Sequence, residues 1–173
     1  PINAVRIFNE KEVDELIIVD IDATRMSREP DYPMIAKIAK ECRMPLCYGG
    51  GVRDEQQVDR IISLGVEKVS ISSAALADPG LIERSARRVG GQSIIVTLDV
   101  KKTGLLRTFE VVTHNGTVKT GRRPVEAAIE MQARGAGEIL LNMVDRDGEM
   151  KGYDLDLVAE LRHPDEVEEL LGA

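Results

Sequence analysis

The sequence predicts an α/β protein built on parallel strands that share one ligand-binding rim. Three observations carry that reading. Short apolar runs that read as strands buried on both faces alternate with stretches of helical spacing. Two of the runs close on acids, Asp20-Ile21-Asp22 and Asp99, at the strand end where parallel sheets bind ligands. The third is the stretch from Pro45 to Ala75: a buried strand, a triple-glycine turn (Gly49, Gly50, Gly51), a helix opened by Asp54, and a second strand ending on Ser72 and Ser73. Glycines let a backbone approach an anion with no Cβ in the way, and helix-start amides with the hydroxyls of Ser72 and Ser73 can donate to phosphate oxygens. An ordinary strand-to-helix turn is the alternative reading of the triplet.

Taken in order, Ile2 to Asn9 place Ala4, Ile7 and Phe8 on one helix face. Leu16-Ile17-Ile18-Val19 is a continuous apolar strand, with Asp14 and Glu15 at its start and Asp20 at its rim end. Thr24 to Pro33 reads as a polar loop, and Met34 to Arg43 as a helix through Ile35, Ile38 and Ala39. Beyond the glycine turn, Asp54-Glu55-Gln56-Gln57 starts a helix with a Val58, Ile61, Ile62, Leu64 stripe that Gly65 ends. Val69 to Ser72 is the next strand, and Asp78-Pro79 opens a helix running to Val89.

Ser93 to Asp99 is a further buried strand, which makes Asp99 the leading catalytic candidate; a carboxylate paired with backbone groups or with Lys101 is the alternative. Phe109 to Thr113 and Thr117 to Lys119 flank His114-Asn115-Gly116, which predicts an antiparallel hairpin on the ligand side with His114 exposed in its turn. Arg123-Pro124 starts a helix carrying Val125, Ala128, Ile129 and Met131, and Glu138 to Asn142 is the fifth parallel strand. In the loop that follows, Asp147 and Gly148 are placed to hold a hydroxyl and a second phosphate. A calcium loop in that register would put Met143 at its first ligand position and Asp154 where the closing glutamate belongs, so calcium is set aside.

Composition narrows the function classes. The 173 residues are 43% hydrophobic and 31% charged, a balance that fits one globular domain. A net charge of -7 with no basic cluster beyond Lys101-Lys102 and Arg122-Arg123 argues against nucleic acid, and no apolar run approaches a bilayer span. Cys42 and Cys47 read as reduced core thiols, from which a cytoplasmic protein is the expectation. No zinc spacing is present, and neither a metal nor another cofactor is expected.

Several motifs in one order resemble a known family. They are Val13-Asp14-Glu15-Leu16 followed by Asp20-Ile21-Asp22-Ala23, Tyr48-Gly49-Gly50-Gly51-Val52-Arg53, Lys68-Val69-Ser70-Ile71, and Asp99-Val100-Lys101-Lys102. Gly135-Ala136-Gly137-Glu138-Ile139-Leu140 follows, then Asp145-Arg146-Asp147-Gly148 before Gly152-Tyr153-Asp154. Together they resemble the cyclase subunit of imidazole glycerol phosphate synthase, from Pro1 to about Arg162.

The resemblance implies a β/α (TIM) barrel, here an incomplete one lacking the first and last strands. It implies a single domain over 1–173, with 163–173 a helix from a later part of the barrel and a seam near Arg162 and His163. It also implies a lyase using ammonia from a partner glutaminase on a bisphosphorylated ribulosyl aminoimidazole carboxamide ribotide. By the same resemblance, Asp99 is the acid–base carboxylate. Gly50, Gly51, Ser72 and Ser73 line one phosphate pocket, Asp147 and Gly148 contribute to the other, and Asp20 is a rim carboxylate. Glu15, Lys68 and Glu138 surround the ammonia entrance on the glutaminase side.

This chain departs from the family pattern at the first-strand aspartate, which lies outside it, and at Asp22, Cys47-Tyr48 and Asn142-Met143-Val144. The latter resemble a paralogous branch tied to surface-polysaccharide sugar biosynthesis, in which the barrel delivers ammonia without closing a ring. A folded fragment that self-associates through apolar strand edges is a third possibility.

Overall fold

The computed structural model describes residues 1–24, 26–104, 108–114, 116–146, 148–150 and 152–162. Helix α1 (Ile2–Glu10), strand β1 (Leu16–Val19), helix α2 (Tyr32–Glu41) and strand β2 (Leu46–Gly49) lead to helix α3 (Glu55–Ser63) and strand β3 (Lys68–Ile71). A short helix α4 (Ser73–Ala77), helix α5 (Gly80–Val89) and a 3-10 turn enter the long strand β4 (Ile94–Thr103). The hairpin β5 (Thr108–Thr113) and β6 (Val118–Lys119), helix α6 (Pro124–Ala133), strand β7 (Glu138–Met143) and helix α7 (Leu155–Arg162) complete the order.

Five strands are parallel and lie side by side as β1-β2-β3-β4-β7, so their C-terminal ends share one rim. Among the described residues the sheet is open, with β1 and β7 unpaired to each other. The hairpin is antiparallel, as its Gly-containing turn predicts; Asn115 itself lies outside the described residues. Val100 pairs with both Val111 of β5 and Met143 of β7, which puts those strands on opposite edges of β4. The hairpin therefore takes over the edge that β3 occupies lower down, at Ile94 to Val96, and rises above the end of β3 at the rim.

Side chains alternate along a strand, and here the two faces differ sharply. Leu46 and Tyr48, Val69 and Ile71, and Ile94, Val96, Leu98 and Val100 join the helix side chains Val58, Ile61, Leu81, Ile82 and Met131 in the core. Each fully buried Ile or Leu among them contributes roughly 2 kcal/mol of transfer free energy. The intervening positions carry the polar residues Lys68, Ser70, Thr97, Asp99, Glu138 and Asn142 among Ile17, Val19, Cys47, Gly49, Ile95 and Leu140, and this second face, the polar one, holds the sheet's line of charged and hydrogen-bonding groups. Helix starts are fixed by side-chain caps. Asp31 Oδ1 accepts from Met34 N at 3.0 Å and Asp54 Oδ1 from Gln57 N at 2.8 Å, each worth about 1 kcal/mol.

Four expectations need correction. In α1 the buried residue is Val5, 1% exposed, whereas Ile7 is 55% and Phe8 41% exposed. The stripe facing α2 runs through Ile2, Val5 and Asn9, whose amide donates to Glu41 O at 2.9 Å. Helix α2 starts at Tyr32, because Asp31 caps it and Pro33 suits its first turn, so the polar loop is shorter than expected. Strand β3 stops at Ile71; Ser72 and Ser73 begin α4 instead of ending the strand. Ile129 is exposed, and the inner face of α6 is completed by Ala127. The expected seam at Arg162-His163 and the helix over 163–173 lie outside the described residues.

Candidate active site

Asp99 reaches the C-terminal rim because it occupies the sixth position of β4, on the polar face. It is half-buried, and its carboxylate Oδ1 accepts from Asn142 Nδ2 at 2.8 Å, the two residues being register partners across the β4/β7 pair. Burial holds its pKa above the usual aspartate value, and the Asn142 hydrogen bond opposes that rise. The lysine alternative does not hold: Lys101 Nζ is 3.4 Å from Asp145 Oδ1, while Asp99 is held by Asn142.

The glycine turn sits at the same rim, and its glycines have packing reasons that the sequence does not reveal. Gly50 and Gly51 have φ of 109° and 73°. A Cβ on Gly50 would lie 2.4 Å from the carbonyl oxygen of Asp20, and one on Gly51 would lie 2.9 Å from that of Arg28. The triplet thus lets the segment after β1 close over the end of β2. Asp20 itself caps that segment: its Oδ1 accepts from the amides of Asp22 and Ala23, both at 3.1 Å, and the Arg28 guanidinium approaches at 3.4 Å. Next along the rim, Ser72 Oγ is buried and has no hydrogen-bond partner in the structure, which leaves a donor for an anion. Ser73 follows as the first residue of α4. Gly148 is exposed with φ 75°, and a Cβ there would meet nothing within 4 Å. Asp147 lies outside the described residues.

The loop bearing Gly148 is tied to the end of β4 by a cluster that sequence reading missed. Asp154, its side chain 2% exposed, lies 3.1 Å from Lys102 Nζ and 3.3 Å from Arg146. Burial raises its pKa, but Lys102, the amide of Leu157 and Arg146 outweigh that and leave it below the usual value. Lys102 also sits over the Phe109 ring at 4.6 Å.

At the opposite end of the strands, on the same polar face, Lys68 Nζ bridges Glu15 at 3.0 Å and Glu138 at 2.7 Å. The three residues singled out in the sequence therefore form one cluster. Cys47 lies within its field: burial, and next the Glu15 carboxylate, push its thiol up to about 12, so it stays protonated. Between the two ends, Ser70 Oγ and Thr97 Oγ1 are 2.6 Å apart. The polar face thus runs from a charged cluster through a hydroxyl pair to a carboxylate–amide pair. His114 is exposed, and its ring Nδ1 lies 3.1 Å from the Thr113 hydroxyl. Among the described residues no group of three or more His, Cys, Asp or Glu is placed to hold a metal ion, and no helix is long and apolar enough to cross a membrane.

Helices packed on one face of a parallel sheet, with polar groups on the other face and a carboxylate at the C-terminal rim, define a protein of the β/α-barrel class. The chain belongs to the histidine biosynthesis protein family, whose model matches residues 1–169 and whose members fold as TIM barrels. A Vibrio vulnificus protein named "Putative imidazole glycerol phosphate synthase subunit hisF3" is 55% identical over 162 residues, covering 94% of this chain and 62% of that protein. "Imidazole glycerol phosphate synthase subunit HisF" of Streptomyces coelicolor is 40% identical over 162 residues, covering 94% and 64%. The chain spans less than two thirds of the length of these curated relatives.

Proposed function

We propose that this chain carries part of the cyclase site of an ammonia-using lyase, with Asp99 as its acid–base carboxylate. The observation that supports this most directly is the position of Asp99: half-buried at the rim, on the polar face, and held by Asn142 at 2.8 Å. A carboxylate whose proton affinity is raised by burial is suited to proton transfer nearer neutral pH than a solvated one. The substrate would be the bisphosphorylated ribulosyl aminoimidazole carboxamide ribotide. One phosphate would sit at Gly50, Gly51, Ser72 and Ser73, the other at Asp147 and Gly148, and Asp20 would hold the rim segment between them and β1. The products would be imidazole glycerol phosphate and aminoimidazole carboxamide ribotide. Ammonia would come from a glutaminase docked at the Lys68, Glu15 and Glu138 end, opposite the rim.

The test is Asp99→Asn in the full chain, assayed with free ammonia. Turnover should fall by about 10²–10⁴-fold while affinity for the bisphosphate stays within a few-fold. Retained turnover would remove Asp99 from the chemistry. A second reading, ammonia delivery to an amidotransferase in surface-polysaccharide biosynthesis without ring closure, is favoured by Cys47-Tyr48, Asp22 and Asn142, where the sequence leaves the family pattern. On that reading glutaminase is stimulated, no imidazole product forms, and Asp99→Asn changes neither.

A further inference from the structure

The polar face places beside Asp99 a residue to which nothing above gives a role. Asn142 is its partner in the parallel register of β4 and β7, both side chains emerge on the same face, and Nδ2 to Oδ1 is 2.8 Å. Of the other charged and titratable groups near this end of the sheet, Tyr48 Oη is buried without a partner among the described residues, Lys119 lies across Val112 on β6, and several others are paired. Lys101, two residues further along the same face of β4, is held by Asp145. Glu110 of β5 bonds Thr103 and the amide of Gly121, and Lys102 pairs with Asp154. From β3 comes Ser70, whose hydroxyl is taken up by Thr97, and His114 beyond β5 is bonded to Thr113. Among the described residues, Asn142 is the one side chain hydrogen-bonded to Asp99.

We infer that Asn142 is a positioning residue: its amide N–H fixes the orientation of the Asp99 carboxylate and stabilises the charged, proton-accepting form. An amide carries no charge and cannot exchange roles with the acid by titrating. It supplies one directed donor in a half-buried place, where a hydrogen bond to a charged group counts most. Without it, burial would act unopposed, and Asp99 would hold its proton more tightly. Asn142 therefore favours the carboxylate over the protonated acid. This inference rests on the proposed acid–base role only for its catalytic meaning; the titration it describes stands apart from turnover.

The experiment follows the Asp99 carboxyl carbon by NMR across pH in the full chain, with the resonance assigned by its loss in Asp99→Asn. Two variants are compared with the parent, Asn142→Leu, which removes the donor, and Asn142→Asp, which keeps the shape and replaces the donor by an acid. Both should move the Asp99 midpoint up by about one pH unit or more. A midpoint unmoved or lowered in Asn142→Leu would show that the amide does not stabilise the carboxylate, and would overturn the inference. An unmoved midpoint in Asn142→Asp, which stays close to the native shape, would overturn it as well. If the midpoints move as stated but Asp99→Asn retains turnover, the catalytic reading fails and the positioning relationship survives.

Discussion

Ser70 and Thr97 join β3 to β4 by a hydroxyl pair 2.6 Å long, midway along the polar face between Lys68 at one strand end and Asp99 at the other. Ser70 is buried, and the Cβ of an alanine at Gly49 would stand 3.1 Å from its own Cβ, so water has little room to replace a lost partner. Removing one hydroxyl leaves the other unsatisfied, whereas removing both does not. Thr97→Val should cost about 1–2 kcal/mol and Ser70→Ala a similar amount, while the double variant should be more stable than the sum of the two predicts. Chemical denaturation of the four proteins measures the coupling; strictly additive losses would show that the two hydroxyls act independently.

Gly50 offers a sharper structural test. Its φ is 109°, and an added Cβ would fall 2.4 Å from a backbone oxygen of Asp20 that cannot swing aside. Gly50→Ala should lose about 3 kcal/mol or more, because strain and overlap add. Gly148→Ala, with a φ of 75° and open space, should lose only about 1 kcal/mol. Equal losses at the two sites would mean that the contact with Asp20 does not matter.

Lys68 holds its proton more tightly than an ordinary lysine, owing to hydrogen bonds to Glu138 and Glu15. With a folded pKa above the unfolded one, its stabilisation is fully present below about pH 10.5 and is lost as pH rises through the folded value. At neutral pH the cluster is therefore intact. On the proposed ammonia-using function, Lys68→Met should slow glutamine-dependent turnover by about tenfold or more while leaving ammonia-dependent turnover near the parent level, since the cluster lies at the strand end away from Asp99. Parallel assays with glutamine and with ammonium decide it, and an equal loss in both would place Lys68 in the fold alone.

Asp99 works in the opposite sense for stability. Burial raises its pKa in the folded chain, so the fold binds that proton more tightly than the unfolded chain does, and stability falls as pH rises through the two values. The cost is absent below the unfolded value and fully present above the folded one. Asp99→Asn should accordingly melt at a higher temperature than the parent at pH 7, with the gap closing near pH 3. Thermal unfolding at both pH values checks the sign, and a gap that widens on acidification would contradict it.

The strands were legible because parallel sheets leave uninterrupted apolar runs, and Asp20, Asp99 and Glu138 fall at their ends. Lys68, Glu15 and Glu138 could be grouped only through resemblance; no local pattern says that residues 53 and 70 positions apart share one cluster. Helix α1 misled because Ala4, Ile7 and Phe8 do keep helical spacing, yet Ile2, Val5 and Asn9 keep it too, and only the packing of α2 chooses between them. Ser70 and Thr97 were available as a signal, being hydroxyls inside otherwise apolar strands. Asn142 stands out in the sequence as a departure from the family pattern, but only the strand register sets it opposite Asp99. The Lys102–Asp154 ion pair left no trace in the sequence, since it joins the end of β4 to a residue far along the chain.

Because Asp99 and Val100 are laddered on both sides at once, to Val112 and Val111 of the hairpin and to Asn142 and Met143 of the neighbouring strand, this short stretch has no free edge. Opening it requires two ladders to part together. Its amides should rank among the slowest in the molecule to exchange with deuterium, and any adjustment to an incoming molecule falls to the surrounding loops. The carboxylate waits on a fixed post, its entropy already surrendered when the chain folds.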